Sequence, residues 1–208
     1  MSENVLLEIS DLCCIRDDRI LIKQLNLSLQ SGQMLLVEGK NGSGKTSLLR
    51  ILTGLSLPES GQVFWLGKPI EEIGADYYEQ LNYIGHHDGI KRDLTCLENL
   101  RLNQAMGKPV DINLDDALEK VNLYHFGDNP VATLSAGQKR RLALARLIVT
   151  KAQLWIMDEP FTSLDKASMA LFEDMFETHL QNQGLIVMTS HHDIEMNNSN
   201  IQRLNLSS

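Results

Sequence analysis

The sequence predicts an α/β fold built on buried strands, and three observations predict it. Three short apolar runs are unbroken: Met34-Leu35-Leu36-Val37, Leu154-Trp155-Ile156-Met157 and Leu185-Ile186-Val187-Met188. Runs of this length read as strands covered on both faces, as in a parallel sheet. Each passes straight into polar residues, respectively Gly39 to Thr46, Asp158-Glu159-Pro160 and Thr189-Ser190-His191. Ligands of open α/β sheets sit beyond the carboxyl ends of the strands, so three such ends point to one shared site. Between the first two runs, residues 88–150 read as mainly helical, which places a helical insertion inside the sheet.

Composition sets the outer bounds. The 208 residues can bury about 70% of their unfolded surface in a self-sufficient core. A hydrophobic content of 43% and a charged content of 22% exclude disordered and fibrous classes. With 19 Lys+Arg against 27 Asp+Glu the net charge is −8, which argues against nucleic-acid binding. Cys13, Cys14 and Cys96 make no disulfide framework and suit a reducing compartment. The first residues show no secretory signal and charge interrupts every long apolar run, so membrane contact is expected only through partners.

Taken in order, residues 5–37 and the segment Gly61 to Gly67 are expected to form short strands around glycine turns, an antiparallel β segment. The helical insertion opens with Leu94-Thr95-Cys96-Leu97-Glu98-Asn99-Leu100 and closes with Leu142 to Ile148, where Leu144, Leu147 and Ile148 recur at helical spacing. No repeat or linker divides the chain. A single domain over 1–208 is expected, with a core of about 1–87 and 151–208 and a helical subdomain of about 88–150.

Gly39, Lys40, Asn41, Gly42, Ser43, Gly44, Lys45 and Thr46 fit the P-loop pattern G-x-x-x-x-G-K-[ST]. They follow a strand and precede an apolar helical stretch (Leu48, Leu49, Ile51, Leu52) that stops at Gly54. Glycines let successive N–H groups converge on phosphate oxygens, and the helix start at Thr46 and Ser47 adds unpaired donors and a positive dipole end. Lys45 is placed to reach the outer phosphates and the Thr46 hydroxyl to bind Mg²⁺. These residues predict a P-loop nucleotide-binding protein.

Two adjacent carboxylates close the second apolar run. Neighbours on a strand point to opposite faces, so Asp158 and Glu159 cannot share one task. Asp158 is the natural anchor for Mg²⁺, while Glu159 can polarise a water beyond the terminal phosphate. Further back, Ser135 and Gln138 fit a capping box, so a helix is expected to start there with Ser135 as its N-cap. Gly137 would let an anion approach the exposed donors. Six histidines include the pairs His86-His87 and His191-His192, but no Cys or carboxylate spacing makes either a zinc site.

Leu134-Ser135-Ala136-Gly137-Gln138, Arg140-Arg141, Leu144-Ala145-Arg146 and Asp158-Glu159-Pro160 resemble the signature-to-Walker-B block of ABC-type ATPases. Walker A (Gly39 to Thr46), signature (Leu134 to Gln138), Walker B (Leu154 to Glu159), D-loop (Ser163-Leu164-Asp165) and switch histidine (His191) all occur in family order, across essentially the whole chain. The resemblance implies a RecA-like core with a mixed sheet, an antiparallel β segment and a helical subdomain. It implies a head-to-tail homodimer that clasps two ATP molecules with Mg²⁺. Each nucleotide would touch the P-loop of one copy and the Ser135, Gly137 and Gln138 segment of the other, with Asp165 alongside. Glu159 would activate water, and His191 would contact the γ-phosphate. At the family's glutamine position stands His87, whose neutral imidazole can accept from a metal-bound water. At the family's aromatic adenine contact stands Arg16, whose guanidinium plane can stack on a base.

The stretches Ile84 to Lys91, Asp158 to Thr162 and Leu142 to Leu147 are similar to the ATPase subunits of bacterial cytochrome c maturation systems. That similarity implies a peripheral protein on the cytoplasmic face of the inner membrane, docked to integral haem-handling subunits. It would power haem export or the release of a haem-loaded chaperone. Another ABC transporter ATPase, a soluble assembly ATPase of the iron–sulfur scaffold type and a nucleotide-binding module without turnover are the alternatives.

Overall fold

The computed structural model describes residues 5–190 and 200–207. It begins with a hairpin of two twelve-residue strands, β1 (Val5–Arg16) and β2 (Arg19–Gln30). The strands are longer than the sequence suggested, and aspartates rather than a glycine turn them. Asp17 and Asp18 sit at φ 49° and 58°, a left-handed conformation that short polar side chains tolerate and that a two-residue hairpin loop requires. Irregular register between β1 and β2 bends the ribbon.

The first apolar run is β3 (Met34–Glu38), followed by the P-loop and α1 (Lys45–Leu52). The chain then makes β4 (Ser60–Trp65), β5 (Lys68–Pro69), two single turns of helix, α2 (Ile70–Ile73) and α3 (Ala75–Tyr78), and β6 (Leu81–Ile84). The insertion contributes α4 (Cys96–Met106), α5 (Leu114–Lys120) and α6 (Ala136–Val149). After the insertion come β7 (Leu154–Asp158), α7 (Lys166–Gln181), β8 (Leu185–Thr189) and β9 (Ile201–Asn205). Both main insertion helices start on reciprocal capping boxes, Thr95 with Glu98 and Ser135 with Gln138. Each satisfies two otherwise unpaired backbone donors.

Two sheets result. One is antiparallel, in the order β2-β1-β4-β5, and the other has the order β6-β7-β8-β3-β9 with every pairing parallel. The mixture of strand directions is thus divided between two sheets. The three apolar runs are immediate neighbours, β7-β8-β3, and their alternation sorts two cores. Met34, Leu36, Trp155, Met157, Ile186 and Met188 face α6, α7 and the helical insertion. Leu35, Val37, Leu154, Ile156, Leu185 and Val187 face α1 and the antiparallel sheet. Parallel register then brings the carboxyl ends level: Thr189 lies opposite both Val37 and Asp158.

Candidate functional site

At that level edge the P-loop leaves β3. Gly39 adopts φ 148° and a β-carbon there would lie 2.5 Å from Ser43 Oγ, so only glycine lets the loop close on itself. Gly44, at φ 101°, is the N-cap of α1 and provides no side-chain cap to its first donors. Ser43 Oγ is buried with no hydrogen-bond partner among the described residues. The loop therefore holds more hydrogen-bonding capacity than the protein itself uses, as a phosphate site requires. Lys45 is buried, and its Nζ donates to the Gly39 carbonyl at 2.7 Å and the Lys40 carbonyl at 3.5 Å. The Lys40 N–H donates to Ser207 Oγ at 2.7 Å, which ties the end of the described chain to the cradle.

The carboxylates are fixed from both sides. Thr46 Oγ1 donates to Asp158 Oδ2 at 2.7 Å, and Thr189 Oγ1 donates to Asp158 Oδ1 at 2.7 Å. The Glu159 N–H in turn donates to Thr189 Oγ1 at 2.9 Å. Glu159 leaves the strand at φ 51°, so its backbone turns sharply and both it and Asp158 line one cleft. Thr46 and Asp158 supply hard oxygens at adjacent positions, the donor type Mg²⁺ selects together with phosphate. Among the described residues no cluster of three or more His, Cys, Asp or Glu side chains forms a metal site of its own.

The cleft has a volume of about 810 Å³. Lys40, Asn41, Gly42, Lys45, Thr46 and Ser47 form one wall, and Asp158, Glu159 and Thr162 form another. The β1–β2 hairpin contributes Arg16, Asp17, Arg19 and Leu21 at the far end. Arg16 thus lines the cleft, with Arg19 as its cross-strand neighbour. No Phe, Tyr or Trp lines this cleft among the described residues.

Several predicted residues lie elsewhere. His87 is exposed and does not line the cleft; its neighbour His86 does, with the two rings 5.6 Å apart. Past the end of β6 the chain is irregular, so strand alternation no longer decides which histidine faces inward. Ser135, Gly137, Gln138 and Asp165 are also outside this chain's own cleft. Ser135 Oγ accepts from the Gln138 N–H at 3.2 Å, and Gln138 Oε1 accepts from the Ser135 N–H at 2.9 Å, so both side chains serve the helix start. A β-carbon on Gly137 would lie 2.9 Å from the Ser163 carbonyl, which gives this glycine a packing reason besides anion access. Asp165 caps α7: the Ser168 hydroxyl and N–H hold its carboxyl below the usual pKa. His191 lies outside the described residues.

Three residues without a predicted role complete the site: Thr189, His86 and Arg140. Thr189 was visible only as part of a strand-end run. Arg140, beside the signature segment, donates to the Asp158 and Glu159 carbonyls.

Comparison with known proteins agrees with this geometry. The family model described as ABC transporter matches residues 22–162. Three curated relatives share the description "Cytochrome c biogenesis ATP-binding export protein CcmA". That of Methylococcus capsulatus is 50% identical over 196 residues, covering 93% of this chain and 94% of its own. That of Nitrosospira multiformis is 46% identical over 205 residues (96% and 98%). That of Vibrio cholerae is 42% identical over 203 residues (97% and 98%). Among solved structures, a putative ABC transporter ATP-binding protein from Pyrococcus furiosus superposes with a TM-score of 0.81 at 22% identity, covering 95% of this chain and 96% of that one. CbiO1 from Clostridium perfringens, part of an ABC transporter complex, gives 0.75 at 22% identity, covering 93% and 81%. At that identity the likeness concerns the fold.

Proposed function

The chain belongs to the ABC transporter family of ATP-binding proteins, and within it we propose that it is the ATPase subunit of a membrane complex for cytochrome c biogenesis. It powers haem export or the release of a haem-loaded chaperone. The observation that carries the enzymatic part is the linked set Thr46, Asp158, Thr189 and Glu159 at the mouth of the P-loop. The relatives' printed names support the pathway.

In this reading the loop amides and the start of α1 receive the ATP phosphates, and Lys45 exchanges the Gly39 and Lys40 carbonyls for outer phosphate oxygens. Thr46 and Asp158 would hold Mg²⁺, whose charge would neutralise that of the phosphates. Glu159 takes the proton of the attacking water, and His191 orients that water. Arg16 lies against the base. His87, exposed ahead of the insertion, acts as a coupling residue toward partners. A second copy completes each site with its Ser135–Gln138 segment and Asp165. The exposed start of α6 has no role in its own chain's cleft, which supports that arrangement.

Membrane contact runs through partners on the cytoplasmic face of the inner membrane. No helix of the described residues is long and apolar enough to cross a bilayer. Leu55, Leu57, Tyr78 and Met106 are between 54% and 79% exposed. The Lys108–Glu79 ion pair (2.6 Å) draws the end of the α4 region toward the Tyr78 segment. Apolar groups so placed suit docking of an integral subunit. The test is capture of the tagged protein from native membranes, where integral haem-handling proteins are expected to co-purify in an ATP-dependent complex. Recovery alone in the soluble fraction, with those subunits co-expressed, would instead identify a scaffold-type assembly ATPase.

A further inference from the structure

Arg140 is a charged side chain only 3% exposed, and all five of its N–H donors are engaged. Nε donates to the Pro160 carbonyl at 2.9 Å. Nη2 donates to the Asp158 carbonyl at 3.0 Å and the Glu159 carbonyl at 2.7 Å. Nη1 donates to the Gly85 carbonyl at 3.2 Å and to Asp88 Oδ1 at 3.0 Å. One guanidinium on α6 thus grips three consecutive carbonyls at the end of β7 and the segment that enters the helical insertion.

The middle one of those residues is Glu159, at φ 51°. That backbone is disfavoured for any residue with a β-carbon and persists only where the surroundings over-determine it. Thr189 holds the Glu159 N–H, and Arg140 holds its carbonyl. Asp88 is itself fixed twice from α6, because Arg146 Nη1 donates to its backbone carbonyl at 3.2 Å while Arg140 meets its carboxylate.

We propose that Arg140 is a positioning residue for ATP hydrolysis: it holds the Glu159 backbone in the turn that aims its carboxylate at the cleft, and Asp88 sets the orientation of the guanidinium. The proposal rests on Glu159 being the base that activates water. It makes a tilt of α6 felt directly at Glu159, without passing through bound nucleotide. Lysine cannot substitute, since a point ammonium with three donors cannot span five acceptors on two segments.

The test is steady-state hydrolysis by the full chain at varied MgATP, with nucleotide binding and thermal melting measured alongside. Arg140→Lys should lower kcat by about tenfold, the scale of a displaced reacting group, with KM held within about twofold. Asp88→Asn should lower kcat by about threefold, and the double variant should be no slower than Arg140→Lys, because the two act as one unit. The Asp88 side chain is 28% exposed, so that variant decides the matter alone if Arg140→Lys fails to fold. Unchanged kcat, additive losses, or nucleotide affinity and melting temperature falling in step with kcat would each overturn the proposal. Hydrolysis by the unaltered protein that Glu159→Gln abolishes is the control. Its absence overturns the functional reading itself, whereas an intact control with indifferent Arg140 and Asp88 variants overturns this proposal alone.

Discussion

Thr189 Oγ1 lies 2.7 Å from Asp158 Oδ1 across neighbouring parallel strands and accepts the Glu159 N–H at 2.9 Å. One hydroxyl, fully buried, therefore aligns the Asp158 carboxylate and the backbone of the Glu159 beside it. Thr189→Val keeps the shape and leaves a carboxylate oxygen and an amide unpaired. A loss of about 1–3 kcal/mol in denaturant stability is expected, with kcat reduced about tenfold. Unaltered kcat would mean that the strand pairing aligns the two carboxylates unaided.

Variants at Lys45 and Glu159 are expected to separate binding from turnover. Lys45→Ala removes the buried ammonium from the cradle, and nucleotide affinity itself should fall when titrated with MgATP. Glu159→Gln keeps the cleft and should bind ATP normally, with hydrolysis reduced about 10²–10⁴-fold, the range for loss of a general base. Because the nucleotide then persists, light scattering should detect an ATP-dependent dimer. Near-normal hydrolysis by this variant would remove Glu159 from its role.

Gly137→Ala tests the close approach to the Ser163 carbonyl at 2.9 Å. Helix propensity alone favours the alanine by about 1 kcal/mol. The contact is with backbone that has to shift, so the variant should be less stable in spite of that gain. ATP-dependent dimerisation should weaken while nucleotide binding by the single chain is unchanged. A more stable and fully active variant would show that the 163 segment yields freely.

His179 gives the protein an acid limit on stability. Burial pushes its imidazole down from 6.5 to about 4, partly offset by hydrogen bonds involving Gln153 and Leu185. The neutral ring stacks on Trp155 with centroids 3.7 Å apart. Below pH 6.5 the unfolded chain takes up a proton that the folded chain refuses until about pH 4. The contribution is therefore complete above pH 6.5 and is lost as the pH falls toward 4, by up to about 3 kcal/mol. Urea denaturation across this interval should show a shallower pH slope for His179→Gln than for the unaltered protein.

Features set by local sequence were legible from the chain alone. The three apolar runs became three adjacent strands because unbroken apolarity has one economical resting place, a sheet covered on both faces. The Ser135–Gln138 box formed as written because its partners are three residues apart. The Asp17–Asp18 turn holds no glycine, the residue on which the expected turns rest, because aspartate also enters the left-handed region. The reading of His87 rests on the family's glutamine position, and in the irregular chain after β6 it is His86 that faces the cleft. Arg140 and Thr189 were unreadable for another reason: their partners come from strands and loops that only tertiary packing brings within reach.

The Lys40 N–H resting on Ser207 Oγ gives residue 207 an unexpected neighbour. A probe or label attached at residue 207 would hang beside the triphosphate cradle, so titrations made on such a conjugate would report the label as well as the enzyme.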